Sequence, residues 1–260
     1  MNQSFKNSEF LIYDDGSDEE CRKVIQEIGK QDARIHILRG EENRGIAYGL
    51  NQCILRAKGQ YLARMDGDDL SLPHRLEVQA AFLDANPAYD YVGAAAALLE
   101  GEKLWGTRQM ASAPQKEDFL SFSPYIHPSV MFRREVFEKY GLYDTSDLCR
   151  RCEDYELFMR LHSRGSFGYN LKEILLHYRE EKDSYKKRTF ISRRKEAWLR
   201  RQKFPALGLT GLRAECYKYK PYGAAVIPKS IYWQLKRKIN PPSFPDTWQQ
   251  TKDSGVSCLE

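Results

Sequence analysis

The chain has 260 residues, 42% of them hydrophobic and 30% charged, which suits a mid-sized globular domain with an extension and excludes disordered or fibrous architectures. Its net charge of +5 fits acidic ligands such as nucleotide diphosphates, or an anionic membrane surface, and makes no demand for nucleic acid. MNQSFKNSEF holds no signal-peptide core, and apolar runs such as Tyr91 to Leu99 are far shorter than the ~20 residues of a membrane span. A cytoplasmic protein, peripheral to a membrane at most, is expected.

Phe10 to Tyr13 predicts a strand that runs into the turn Asp14-Asp15-Gly16-Ser17. Cys21, Val24, Ile25 and Ile28 then recur at helical spacing. Ile35 to Leu38 reads as a second strand, and Ile46, Leu50, Ile54 and Ala57 line one face of a second helix, stopped by Gly59. Tyr61 to Met65 is a third strand, ending at Asp66-Gly67-Asp68-Asp69, and Pro73 opens a helix carrying Leu76, Ala80 and Leu83. Tyr91 to Leu99 is a further strand. This alternation predicts a layered α/β domain with a mostly parallel central sheet and ligands held at the strand ends.

Beyond Trp105 the pattern loosens. Ser129 to Phe132 and Ile174 to Tyr178 read as strands, Arg134 to Tyr140 and Glu153 to Arg164 as helices closed by Gly141 and Gly165. After Arg179 comes a basic stretch containing Lys186, Lys187, Arg188, Arg193, Arg194, Lys195, Arg200, Arg201 and Lys203. The expected division is a domain over 1–180 and a basic, mostly helical extension over 181–260. Its aromatic residues Tyr217, Tyr219, Tyr222, Tyr232 and Trp233 interleave with lysines, a pattern that suits either an anionic membrane or solvated helices packed on the domain. The six cysteines are scattered, so reduced thiols are expected, and the lone Cys149/Cys152 pair lacks the further ligands zinc requires.

Asp66, Asp68 and Asp69 crowd three carboxylates into four positions, where a bound cation relieves their repulsion. Magnesium or manganese fits, because such ions take one or two carboxylates and complete their shell with water and phosphate oxygens. The alternative is an acidic cap for the helix near Pro73. Asp14 and Asp15 close a strand in the same way, and offer acceptors for a base N–H or for ribose hydroxyls, or else an N-cap. Between the two turns, Arg44 in Asn43-Arg44-Gly45 suits a phosphate.

In order, LIYDDGS, ENRGIAYGLNQCILRAKGQYLARMDGDDLSLPHRL, HPSVMFRREVFEKYGLYD and CEDYELFMRL resemble bacterial family 2 glycosyltransferases with the glycosyltransferase A fold, over about Asn2 to Arg179. The resemblance implies an inverting transferase acting from a nucleoside-diphosphate sugar to a glycan or lipid-linked acceptor, in surface polysaccharide synthesis. It implies that Asp15 contacts the base, Asp66 lies near the ribose and diphosphate, Asp68 binds the metal and His127 lies near the donor phosphates. It also implies that Asp154 is the catalytic base, a role in which one carboxylate takes the acceptor proton opposite the leaving group. A carboxylate favoured by the helix dipole is the other reading of Asp154.

Two departures stand out. Relatives carry a histidine soon after the pair that Tyr178-Arg179 resembles, whereas here Glu180-Glu181-Lys182 follow, so a carboxylate in its place is one expectation. The family also begins with a strand ending Pro-x-Tyr-Asn and a helix that have no counterpart ahead of MNQSFKNSEF, which suggests a fragment, a misplaced start or a degenerate gene. A non-catalytic nucleotide-binding remnant and a sugar nucleotidyltransferase are the competing functional readings.

Overall fold

The computed structural model describes residues 2–181, 189–225 and 227–244. Lys182, the Lys186-Lys187-Arg188 run and Cys258 lie outside them. Strand β1 (Phe10–Asp15) pairs in parallel with β2 (Ile35–Gly40) as a two-stranded sheet, joined by helix α1 (Glu19–Gln31). Asp18 caps α1 by accepting the Cys21 N–H at 2.9 Å. The expected apolar stripe of α1 does not turn inward: Val24 and Ile28 are exposed. The helix instead sits on the sheet through Gly29, where an added Cβ would lie 2.4 Å from the Ile37 side chain. Helix α2 (Ile46–Arg56) covers β1, with Leu50 and Ile54 packed against the main core as their spacing predicts.

A second sheet holds six strands: β3 (Tyr61–Ala63), β4 (Leu70–Ser71), β5 (Tyr91–Glu100), β6 (Lys103–Arg108), β7 (Met131–Arg133) and β8 (Gly168–Arg179). Their order is β3-β7-β5-β8-β4, with β6 against β5. The layered α/β class holds, but the expectation of a mostly parallel sheet is corrected. Only β5 and β8 run parallel here, and the other four pairings are antiparallel. The reason lies in the connections. Glu100 and Lys103 are paired across a tight turn, and so short a link admits only an antiparallel partner. The β5–β8 crossover has room for helices α4 (Glu135–Tyr140) and α5 (Glu153–Ser163).

Strand β5 is buried along Tyr91 to Leu99, as a central strand covered on both faces must be. Tyr91, Phe119, Phe132 and Phe158 form the aromatic heart of the core, each burial contributing roughly 1.5–3 kcal/mol. Helix α3 (Arg75–Ala85) covers the sheet with Ala80 and Leu83 and also buries Arg75 and Gln79. Helices α6 (Phe190–Lys203), α7 (Gly211–Ala225) and α8 (Lys229–Ile239) follow. Leu199, Phe204 and Leu207 join the same core as Phe158, and buried Arg200 donates to the carbonyls of Leu120, Ser121 and Tyr217. No described helix is long and apolar enough to cross a membrane.

Candidate active site

At the end of β1 the backbone meets the carboxylates. Asp14 is buried, and its Oδ1 accepts the Ser17 N–H at 2.8 Å. Burial pushes its pKa up, yet the Ser17 hydrogen bonds and the charges of Arg22 and Arg39 outweigh that and hold it below the usual carboxylate value. Asp15 accepts the Arg44 N–H on one oxygen and the Gly45 N–H on the other, both at 2.8 Å. Gly16, at φ +76°, makes this possible: the backbone of Glu42 and Asn43 lies 2.8–2.9 Å from where its Cβ would be. Asp15 thus ties β1 to the start of α2, with one lone pair on each oxygen still open to a ligand.

Strand β3 delivers the second turn. The Asp66 carboxylate is gripped by both terminal nitrogens of Arg64, with Nη1 at 2.9 Å. Asp68 is exposed, and Asp69 is buried. Oδ1 of Asp69 accepts the Arg179 N–H at 2.7 Å, while its Oδ2 is buried with no hydrogen-bond partner among the described residues. Burial, then the charges of Asp66 and Asp68, push the Asp69 carboxyl up to about 7, against the pull of the Arg179 N–H. The three carboxylates offer oxygens within 4.8 Å of one another. An orphaned buried oxygen beside two further hard anionic ligands is a donor set that fits a divalent cation. Arg179 also wraps the turn, its Nε donating to the Asp68 carbonyl at 2.9 Å.

Arg64 is a buried cation at this turn that the motifs do not mark. Its guanidinium is buried, and its backbone is pinned by the Arg75 guanidinium on its carbonyl at 2.7 Å and by the Val130 carbonyl on its N–H at 2.9 Å. Its charge acts on Asp69, His127, Tyr143 and Asp154 as well as on Asp66, which it contacts, so one buried cation is shared by all five. The signal was present in the sequence as a cation inside an apolar strand just before an acidic turn.

Asp154 lies in the first turn of α5, half-buried, beside Glu153. Burial and the Glu153 charge push its carboxyl up to about 6, while the Tyr155 N–H and Arg64 pull it down. His127 is buried, with Nε2 bound to the Tyr143 hydroxyl at 2.7 Å. Desolvation, then Arg64, hold its pKa well below the ordinary histidine value, so it is neutral. Tyr143 in turn exchanges two hydrogen bonds with Asn51 of α2, both at 2.9 Å. His127 therefore joins the site through Tyr143. Arg44 stays with Asp14 and Asp15 at the first turn, and no contact of the described residues joins these three to the second. The Arg44 guanidinium stacks 3.8 Å over Tyr48, in a cleft of about 840 Å³ whose lining includes Tyr13, Arg39 and Arg56.

Two other expectations are resolved here. Glu180 is buried and paired with Arg108 and with Lys236 of α8, so the carboxylate following Tyr178-Arg179 anchors a helix. Cys149 and Cys152 are free and buried, and burial pushes both thiols up, Cys149 to about 11, which leaves them inert core residues.

The profile of glycosyl transferase family 2 matches residues 1–141. The putative glycosyltransferase EpsE of Bacillus subtilis is 32% identical over 243 residues, spanning 92% of this chain and 87% of EpsE. This chain belongs to glycosyl transferase family 2. Two solved structures share the fold of this family 2 transferase. S. aureus TarS 1-349 in complex with UDP-GlcNAc matches with a TM-score of 0.63 at 15% identity, over 83% of this chain and 62% of that one, so the chain spans about three fifths of it. The mannosyltransferase PcManGT from Pyrobaculum calidifontis, in complex with GDP-Man and Mn2+, matches with a TM-score of 0.56 at 15% identity, over 92% of this chain and 73% of that one. The glycosyltransferase A fold is thereby shown.

Proposed function

We propose that this transferase moves a sugar with inversion from a nucleoside-diphosphate sugar to a glycan or lipid-linked acceptor, in the synthesis of a surface polysaccharide. The observation that carries the reading is the Asp66, Asp68, Asp69 cluster with its orphaned buried oxygen, joined to Asp154 on a separate helix through the charge of Arg64, which grips Asp66. In this reading Asp68, with Asp66 and Asp69 beside it, would hold Mn2+ or Mg2+, which when bound would supply positive charge for a leaving diphosphate.

The chain's own residues do the rest. Asp14, Asp15 and Arg44 form the nucleotide end, Asp66 faces the ribose and diphosphate, and neutral His127 backs the phosphate wall through Tyr143. Asp154 takes the acceptor hydroxyl proton as that oxygen attacks the anomeric carbon from the face opposite the diphosphate, and the raised pKa gives the base driving force near neutrality. Arg64 holds Asp66 in place, and its charge favours the ionised forms of Asp69 and Asp154. Residues 1–180 carry this chemistry in the proposal, and the segment from 181 onward meets the membrane surface where a lipid-linked acceptor resides.

Turnover of UDP- and GDP-sugars with Mn2+ and a panel of glycan acceptors tests the mechanism, with the product anomer read by proton NMR. An inverted anomer is expected. A retained anomer would exclude a single displacement and remove Asp154 from the base role.

A further inference from the structure

Among the described residues, helix α8 is held to the body of the protein by the side that carries Trp233 and Lys236. Trp233 is buried against Trp105, with ring centroids 5.1 Å apart, and Asn240, seven residues on, is buried against Gly106. Just past the helix, the Pro241 carbonyl accepts from Thr107 Oγ1 at 2.9 Å. Lys236 pairs with Glu180, and Arg237 pairs with Glu100 at 2.7 Å. These contacts lock the rotation of the helix about its own axis.

The opposite side is apolar. Ile231, Leu235 and Ile239 recur every four residues and are 48%, 45% and 76% exposed, and Ile227 ahead of the helix extends the row. Helices normally turn such a stripe toward the core. Here the core-facing positions are already taken by Trp233, Lys236 and Asn240, so the row points outward by construction. A locked aliphatic row on a surface marks an interaction site. Charge decides between occupants: residues 189–244 contain thirteen Lys and Arg and only two acidic residues, Glu196 and Glu215, and exposed Lys238 borders the row. An aliphatic face on a strongly cationic helical segment matches the apolar and anionic layers of a lipid headgroup region.

We propose that Ile227, Ile231, Leu235 and Ile239 form a lipid-docking face that seats α8 in the surface of an anionic bilayer. This deepens the membrane part of the reading above and rests on it for its setting, while its test needs no sugar transfer. Cosedimentation of the full chain with phosphatidylglycerol vesicles and with phosphatidylcholine vesicles, without donor or metal, measures it. Binding to the anionic vesicles that weakens with salt is expected. The triple variant Ile231→Gln, Leu235→Gln, Ile239→Gln should lose about tenfold or more of that binding at unchanged melting temperature and unchanged turnover of a soluble acceptor. Equal binding of the wild-type chain to both vesicle types would overturn the proposal, as would equal binding of wild type and variant. A dimer by analytical ultracentrifugation that the variant dissociates, with no vesicle binding by the wild type, would assign the row to a second copy instead. Failure of vesicle binding with metal-dependent donor binding intact would leave the transferase reading standing.

Discussion

At the end of β1, Asp14 accepts the Ser17 N–H on one oxygen, and Asp15 accepts the Arg44 and Gly45 N–H groups on its two. At the end of β3, Asp66 faces one arginine, Asp68 is exposed, and Asp69 keeps a buried oxygen with no donor among the described residues. In sequence the two turns look alike. What separates them is chain that arrives some thirty residues later: the Asn43 to Gly45 loop closes over Asp15, admitted by the missing side chain of Gly16. Among the described residues no backbone donor comes to the open oxygen of Asp69. The first turn is therefore tied down by backbone donors and organises α2, whereas the second keeps a buried carboxylate oxygen that the fold leaves for a ligand.

Substitutions should separate the two turns and the base from one another. The largest effect is expected outside both, at Asp154→Asn, which should slow turnover by roughly 10² or more while donor affinity by calorimetry stays nearly unchanged. Turnover at the wild-type rate would move the base role to another group, Glu153 first. Next, Asp68→Asn should weaken metal-dependent binding of a nucleotide diphosphate by about tenfold or more, with unfolding stability in chelator within about 0.5 kcal/mol of wild type. At the first turn the pattern should reverse. Asp15→Asn replaces one of two acceptor oxygens by an amide and should cost about 1 kcal/mol in denaturant unfolding, with or without metal. A stability loss for Asp68→Asn as large as that for Asp15→Asn would erase the distinction between the turns.

The smallest effect is one of pH. Burial and Glu153 raise the Asp154 carboxyl to about 6, above the ordinary ~4, so the protonated, inactive form gathers at higher pH than usual. Turnover should fall as pH drops through about 6, and the Asp154→Asn variant should lack that limb. An acid limb near 4 in the wild type would show that Asp154 is not the titrating base.

Much of this was legible in the residues, and the parts that were not have physical reasons. Apolar runs and turn residues located β1, β2, α2, β5 and α5, whereas the two acidic turns, expected at one edge of a single sheet, follow strands of two different sheets. Strand β6 escaped notice because Lys103 to Arg108 carries little alternation and is held by its partner β5. Strand β8 begins at Gly168, six residues before its apolar run, since Gly168 packs beneath the Tyr91 ring rather than contributing a side chain. Pairing direction was misread because the alternation of strands and helices reports crossovers and is silent about the hairpin at Glu100 and Lys103. The setting of Arg64 depends on Arg75, Val130 and Asp154, groups that its sequence neighbours do not report. The anchoring role of Glu180 depends on Arg108 and Lys236, residues 72 and 56 positions away.

The central claim is that the Asp66-Gly67-Asp68-Asp69 turn holds a divalent cation together with a nucleotide diphosphate. Calorimetric titration of UDP and GDP into the full chain, with Mn2+ and then with chelator, and again into Asp68→Asn, tests it most directly. Binding of one nucleotide by the wild-type chain that requires Mn2+ and is lost in the variant is the predicted result. Affinity unchanged by chelator, or retained in Asp68→Asn, would contradict the assignment of this turn as the metal site.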